Sequence, residues 1–315
     1  MKRLACLPIL AGLLLTASVT AWAQPGNFDF GVTAHTFPPE AGENPLQQAI
    51  NASNEDNLAF VVVNGIKSGA ENCSDSVYSR SRKSLVRAEN ALIVSLAASD
   101  WVNCKTKNGK SIAIERLNRV RELFLSDDVS FGNSSIALIR QSSSAKFRSY
   151  AENARWEYGN ILFATINLPA DNNHYLPDAG RNSEFEDRLI ANREWLARIF
   201  IHAAQKKNQA IVLICDGNPL IVPEARKLAK LRGRRDGFIE VRKQLTGLAK
   251  KFPGKVLLLH GQAQVKADTI HWQANLGSMG VSTGWSKITV QPASKTLFRP
   301  AFSLTTKNLK NREYK

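Results

Sequence analysis

Acidic residues, cysteine and long apolar runs are scarce in this chain, and the short motifs that usually betray a function are missing. Asp and Glu number 27 against 42 Lys and Arg, giving a formal net charge of +15. A chain this basic attracts polyanions without any dedicated site. Specific nucleic-acid recognition has no carrier, however: there is no zinc-finger spacing, RNP-like aromatic motif or helix-turn-helix signature. A Gly-x-Ser-x-Gly elbow, a glycine-rich dinucleotide fingerprint and a helical His-Glu-x-x-His are equally absent. So are internal repeats and low-complexity tracts.

The one long apolar run is at the N-terminus. Lys2 and Arg3 precede the apolar stretch 4–21, and Ala21-Trp22-Ala23 has the small-x-small form of a cleavage site. The pattern predicts a secretory signal peptide over 1–23, cleaved after Ala23, and a periplasmic or secreted protein. Removing 23 of the 315 residues leaves 292, and losing Lys2 and Arg3 lowers the net charge from +15 to +13. That length suits one large α/β domain or two small ones. Beyond residue 23 no stretch is apolar enough to span a bilayer.

Three of the four cysteines follow the signal segment, and export would place them where disulfides persist. Cys73 and Cys104 each come after a strand-like segment; if those strands are neighbours, their loops meet and a Cys73–Cys104 bridge is expected. Cys215 closes the apolar run "AIVLIC" and reads as a buried strand thiol.

Strand-like runs alternate with helical patterns. Strands are expected at 28–34, 58–65, 91–99, 209–215 and 255–261, several continuous enough to be buried on both faces. Between them come a short helix after Asn44, a basic amphipathic helix capped by Ser74 or Asp75, and a helix with Ile114, Leu117, Val120 and Phe124 at helical spacing. A hairpin is expected over 154–168 with its turn at Gly159-Asn160. A long helix follows, with Leu189, Trp195, Leu196, Ile199 and Phe200 as its stripe. The region 223–252 reads as one broken helix or two, and "TIHWQANLG" and "GWSKITVQP" alternate like edge strands. These patterns predict an α/β sandwich of sheets flanked by helices over 24–303, with a basic tail over 304–315.

In such folds ligands bind beyond the carboxyl ends of the strands. Those ends read "GVTAHTFP", "VVVNGIKSG", "VSLAASDW", "IVLICDGNP" and "VLLLHGQAQ". Their order, with "IKSGAENC", "SDWVNC", "ERLNRVRELFL", "ENARWEYGNILFATINL" and "NREWLARIF", resembles the calcineurin-like metallophosphoesterases, more narrowly a bacterial exported branch, from about Phe28 to Pro292. The resemblance implies two mixed β-sheets flanked by helices. It also implies a pair of divalent metals, bridged by an Asp, that activate water for attack on a phosphoric ester.

Residue by residue, the expected ligands are largely replaced. His35 stands for the first Asp and Phe37 for the residue two further on. Asn64-Gly65 stands for Gly-Asp, so the bridging carboxylate is gone. Ser99 stands where Asn is expected and Asp100 where Glu is expected. Asp216 is the charged group at the fourth strand end; His260 survives in the last motif, but Gln262 and Gln264 fill its other ligand positions. Neutral amides hold divalent cations poorly. The first expectation is therefore a divergent, non-catalytic member without a cofactor, binding an anionic or phosphorylated small molecule through Asn64, Lys67 and Ser99. A second is an active hydrolase with an altered site in which His35, Asp100, Asp216 and His260 hold manganese, iron or zinc, His35 and His260 serving catalysis. A third is an envelope protein whose basic run 226–235 touches polyanions or membrane phosphates. His174, in a polar loop, reads as solvated, and His202 as structural.

Overall fold

The computed structural model describes residues 26–34, 44–177, 182–221, 235–262, 269–281 and 285–301. The expectations placed on residues 1–23, His35, Phe37, Gln264, positions 226–234 and the tail 304–315 lie outside the described residues. In chain order the elements begin with β1 (Phe28–Ala34), α1 (Pro45–Asn54), β2 (Val61–Asn64), α2 (Asp75–Val86), β3 (Leu92–Ser95), α3 (Ala98–Trp101) and α4 (Ala113–Phe124). Then follow β4 (Ile139–Arg140), β5 (Ala154–Tyr158), β6 (Ile161–Thr165), α5 (Ser183–Lys206), β7 (Ala210–Cys215), α6 (Ile239–Lys251) and β8 (Lys255–His260). β9 (His271–Gln273), β10 (Leu276–Gly280), β11 (Trp285–Val290) and β12 (Phe298–Ala301) close the chain.

The strands form two mixed sheets, ordered β12-β11-β1-β2-β3 and β4-β5-β6-β7-β8-β10-β9. β1, β2 and β3 run parallel, as do β6, β7, β8 and β10; the flanking strands are antiparallel. Alternation along each strand sorts the apolar side chains between layers. Phe30, Val32, Phe60 and Val62 of one sheet meet Phe163, Val212, Ile214 and Leu257 of the other in a shared core. The opposite faces carry helices. Val61, Val63, Leu92 and Val94 pack with residues of α1, α2 and α4, and Leu162, Leu213 and Leu258 pack under α5 and α6. Parallel strands enclosed in this way need apolar residues at successive positions, which is why β2 and β7 read as unbroken runs.

Local chemistry sets several boundaries. The Ser74 side chain accepts from the Val77 amide and starts α2. Gly159 and Asn160 both have positive φ, 56° and 63°, as a two-residue hairpin turn between β5 and β6 requires. Leu117, Val120 and Phe124 bury the stripe of α4, but Ile114 is 46% exposed, because Ala113 takes the inward position one residue earlier.

The structure also departs from the expected pattern. The third strand stops at Ser95, and Ala98–Trp101 turns into a short helix started by the Asp100 carboxylate accepting from the Ala97 amide. The strands expected at sheet edges are not both there. β9 is an edge, but β10 lies between β8 and β9, and β11 is covered by β12, a strand the sequence did not announce. The Pro300 that masked β12 sits on an edge strand, where a missing N–H costs least. Cys73 and Cys104 are bridged, with Cα atoms 5.7 Å apart, because β2 and β3 are indeed neighbours. Among the described residues, Cys215 is a free, buried thiol at the end of β7. No helix among the described residues is long and apolar enough to cross a membrane.

Candidate functional site

The carboxyl ends of β2, β3, β7 and β8 converge at one end of the sandwich, and hydrogen bonds join the two sheets there. Asn64, the last residue of β2, donates through Nδ2 to the carbonyl of Cys215 at 3.1 Å. Asp216 reaches the other way: its Oδ2 accepts from the Ala98 amide at 2.7 Å and from the Ala170 amide at 2.8 Å. One carboxylate thus fastens the β3–α3 turn to the loop after β6. Asp100 does the same within the first sheet, accepting from Ile66 N at 3.0 Å and Ala97 N at 2.8 Å. Both aspartates are fully buried. A buried carboxylate is tolerable when donors meet its charge, and backbone amides are donors that cannot be titrated away; at Asp216 both amides meet Oδ2.

The neighbouring side chains are also engaged. Lys67 is buried, and its ammonium donates to the carbonyls of Ser68 and Glu71 in its own loop. Desolvation lowers its pKa, while Asp100 and Glu71 oppose the fall. Ser99 donates to the Lys67 carbonyl at 3.3 Å. His260 Nε2 lies 2.9 Å from Asn218 Nδ2, so that nitrogen accepts and the proton of a neutral ring belongs on Nδ1. Gln262 accepts from the Asn218 amide through its side-chain oxygen at 2.7 Å. Gly65 has φ of 94°, a backbone that disfavours any side chain.

Asn64, Lys67, Ser99, Asp100, Asp216 and His260 are therefore brought to one end of the fold, mostly as parts of its own bonding. Among the described residues, no three His, Cys, Asp or Glu side chains group so as to hold a metal ion. Two polar atoms on facing positions of β2 and β3, Asn64 Oδ1 and Ser95 Oγ, are buried without a hydrogen bond among the described residues.

Sequence reasoning misplaced His174. It is buried, not solvated: Nδ1 lies 2.8 Å from Glu184 Oε2, and its ring stands edge-on to Trp101 at 4.8 Å. It ends a run of three consecutive left-handed residues, Asn172, Asn173 and His174, with φ of 45°, 56° and 53°. Such a run costs about 1–2 kcal/mol per residue and needs outside support. Asn-Asn was the one sequence signal available, since asparagine tolerates this region best. His202 behaves as expected, paired with Glu157 at 2.7 Å.

No family model matches the chain, and no curated protein matches it.

Burial lowers the His260 pKa from 6.5 to about 4, against a smaller upward pull from the Gln262 backbone. The folded value lies below the unfolded one, so the neutral ring's contribution is complete above about pH 6.5 and is lost as pH falls toward 4. At 1.36 kcal/mol per unit, roughly 2 kcal/mol should disappear between pH 6.5 and pH 5. His260→Gln should lack that part of the stability curve, and the His260 ring resonances should not move above pH 5. A titration midpoint near 6.5 would show that the imidazole is solvated.

Proposed function

We propose that this chain is an exported member of the calcineurin-like metallophosphoesterase superfamily that has lost the two-metal centre and binds an anionic or phosphorylated small molecule without hydrolysing it. The reading rests first on the sequence resemblance. The observation that carries its non-catalytic part is the use made of the two surviving carboxylates. Asp100 and Asp216 are fully buried and each accepts two backbone amides, an arrangement that fastens loops. The amide of Asn64 faces a carbonyl, and Gly65 carries a backbone where a bridging aspartate would be strained. These residues do not fit a two-metal centre, which needs several free anionic or imidazole donors on each ion. The Cys73–Cys104 bridge is in keeping with an exported protein.

One observation favours the alternative of a phosphoric-ester hydrolase with an altered, single-metal site: Asn64 Oδ1 and Ser95 Oγ are buried acceptors without a hydrogen bond among the described residues, close to the end of β7. Metal analysis of the purified protein, with hydrolysis of bis(p-nitrophenyl) phosphate assayed in added manganese, iron or zinc, separates the two. Trace metal and no turnover are expected. A stoichiometric ion, or turnover that His260→Ala abolishes, would establish the hydrolase instead.

A further inference from the structure

The end of the sandwich opposite the strand-end cluster gathers positive charge. There β6, β7, β8 and β10 begin almost level, with Ile161 beside Ala210, Ala210 beside Lys255 and Val256 beside Leu276. α5 and α6 finish at the same end, because each feeds directly into the strand that follows it. They bring Lys206 and Lys207, and Lys250 and Lys251, to one rim. Lys255 opens β8. Lys295 lies in the turn between β11 and β12, where the Pro292 carbonyl accepts from Gln209 Nε2 at 2.8 Å. Five of these six lysines are exposed, and none makes an ion pair with another described residue. Glu157 interacts electrostatically with Lys206 but is bonded to His202 at 2.7 Å. Asp29, Glu55, Asp56 and Glu89 belong to β1 or follow α1 and α2, in the half of this end under the other sheet.

Lysine at a helix C-terminus has a local explanation, since it meets the negative end of the macrodipole. That covers neither Lys255 and Lys295, which stand on no helix, nor the aromatic rings set among the lysines. Tyr158 and Trp272 are each 39% exposed. Tyr158 ends β5 at the hairpin turn and lies 4.7 Å from the Phe28 ring. Trp272, on β9, stacks on Phe298 at 6.5 Å and has the Lys255 ammonium 5.0 Å from its ring. β5 and β9 are five strand spacings apart, roughly 24 Å. A ring thus marks each flank of the rim, with lysines between.

We infer that this end of the protein docks on an anionic lipid bilayer, its lysines meeting the headgroup phosphates and Tyr158 and Trp272 settling at headgroup level. Breadth, composition and chain path select this partner. A rim roughly 24 Å wide is too broad for one small anion. Half-exposed Trp and Tyr among unpaired lysines is the composition of a surface that sits at a membrane interface. The chain also enters β1 here, since Phe28 pairs with Val290 beside that turn. Six residues, at most about 20 Å of backbone, separate the apolar stretch 4–21 from Phe28, so a bilayer holding that stretch meets this end of the fold. The rim shares no residue with the strand-end cluster and does not depend on the function proposed for it.

The test is flotation of the mature protein with vesicles of phosphatidylcholine, alone or with phosphatidylglycerol added. Binding is expected to the anionic vesicles only, and should fall as salt rises. Lys250→Gln combined with Lys251→Gln should weaken it about 25-fold, at about fivefold for each charge. Lys105→Gln combined with Lys107→Gln removes the same net charge from exposed positions after α3, at the opposite end, and should leave binding as in the parent. Trp101, Trp156, Trp195 and Trp285 are at most 6% exposed, so quenching of tryptophan emission by brominated lipid reports Trp272 and should vanish in Trp272→Phe. Several results would each overturn the inference: no binding to anionic vesicles, equal binding to neutral ones, or no quenching by brominated lipid. So would the pair at 250 and 251 weakening binding no more than the pair at 105 and 107, or tighter binding of single-stranded DNA at the same salt.

Discussion

Replacing Asp216 by alanine should cost about 3–6 kcal/mol of folding stability, a large share of what holds a domain together. The carboxylate is fully buried, and its Oδ2 accepts from the amides of Ala98, at the start of α3, and Ala170, in the loop after β6, which lie over different sheets. Hydrogen bonds to a charged group are worth about 1.5–3 kcal/mol each, and the variant leaves both donors without that acceptor. Asp216→Asn is the informative companion. It keeps one acceptor oxygen at almost the same volume but brings a second donor into a cluster of amides, so it should recover only part of the loss. Urea unfolding at neutral pH reads both. The result discriminates between roles. A structural staple predicts a lowered midpoint whether or not chelator is present. A metal ligand predicts that the parent protein itself weakens in chelator, and that the variant differs little from the chelated parent.

Much of the fold was legible because burial leaves a plain signature. β2, β7 and β8 are sealed on both sides, and their apolar runs said so. The hairpin was legible from Gly159-Asn160, and the bridge from the two cysteines after neighbouring strands. β12 was not, since a four-residue strand containing proline has no alternation to read. The short α3 was hidden for a different reason: it is initiated by the Asp100 side chain, and a carboxylate in a sequence does not announce which amides it will accept. The same limit applies to the candidate site. Residue types and strand ends placed Asn64, Lys67, Ser99, Asp100, Asp216 and His260 together, but their bonding is decided by backbone amides from loops distant in sequence.

Arg188→Ala should destabilise the protein by about 3–5 kcal/mol, as expected for removing one member of a buried ion pair. Arg188 is fully buried and lies over the Trp101 ring at 5.8 Å. It donates to both Glu184 oxygens, to the Asn173 side chain at 2.6 Å and to the Asn173 and Asn167 carbonyls. This is what holds the left-handed run 172–174 in place, so the loss combines an orphaned carboxylate with a strained turn released. The acid limb of the stability curve gives a second, independent readout. Burial pushes the Glu184 carboxyl up, but Arg188 and His174 outweigh it and bring it to about 2. The folded value lies below the unfolded one near 4.5, so this contribution is complete above about pH 4.5 and is lost as pH falls toward 2. Without Arg188 the desolvation of the Glu184 carboxylate is opposed by His174 alone, and stability should fall much less between pH 4.5 and pH 3 than in the parent. Arg188→Lys keeps the charge but not the planar fork; it should retain much of the acid dependence while losing the contacts to Asn173. If Arg188→Ala lost less than about 1 kcal/mol and kept the parent's acid limb, the turn would have to be held by Asn172, Asn173 and their bonds to Arg235 and Gly237 alone.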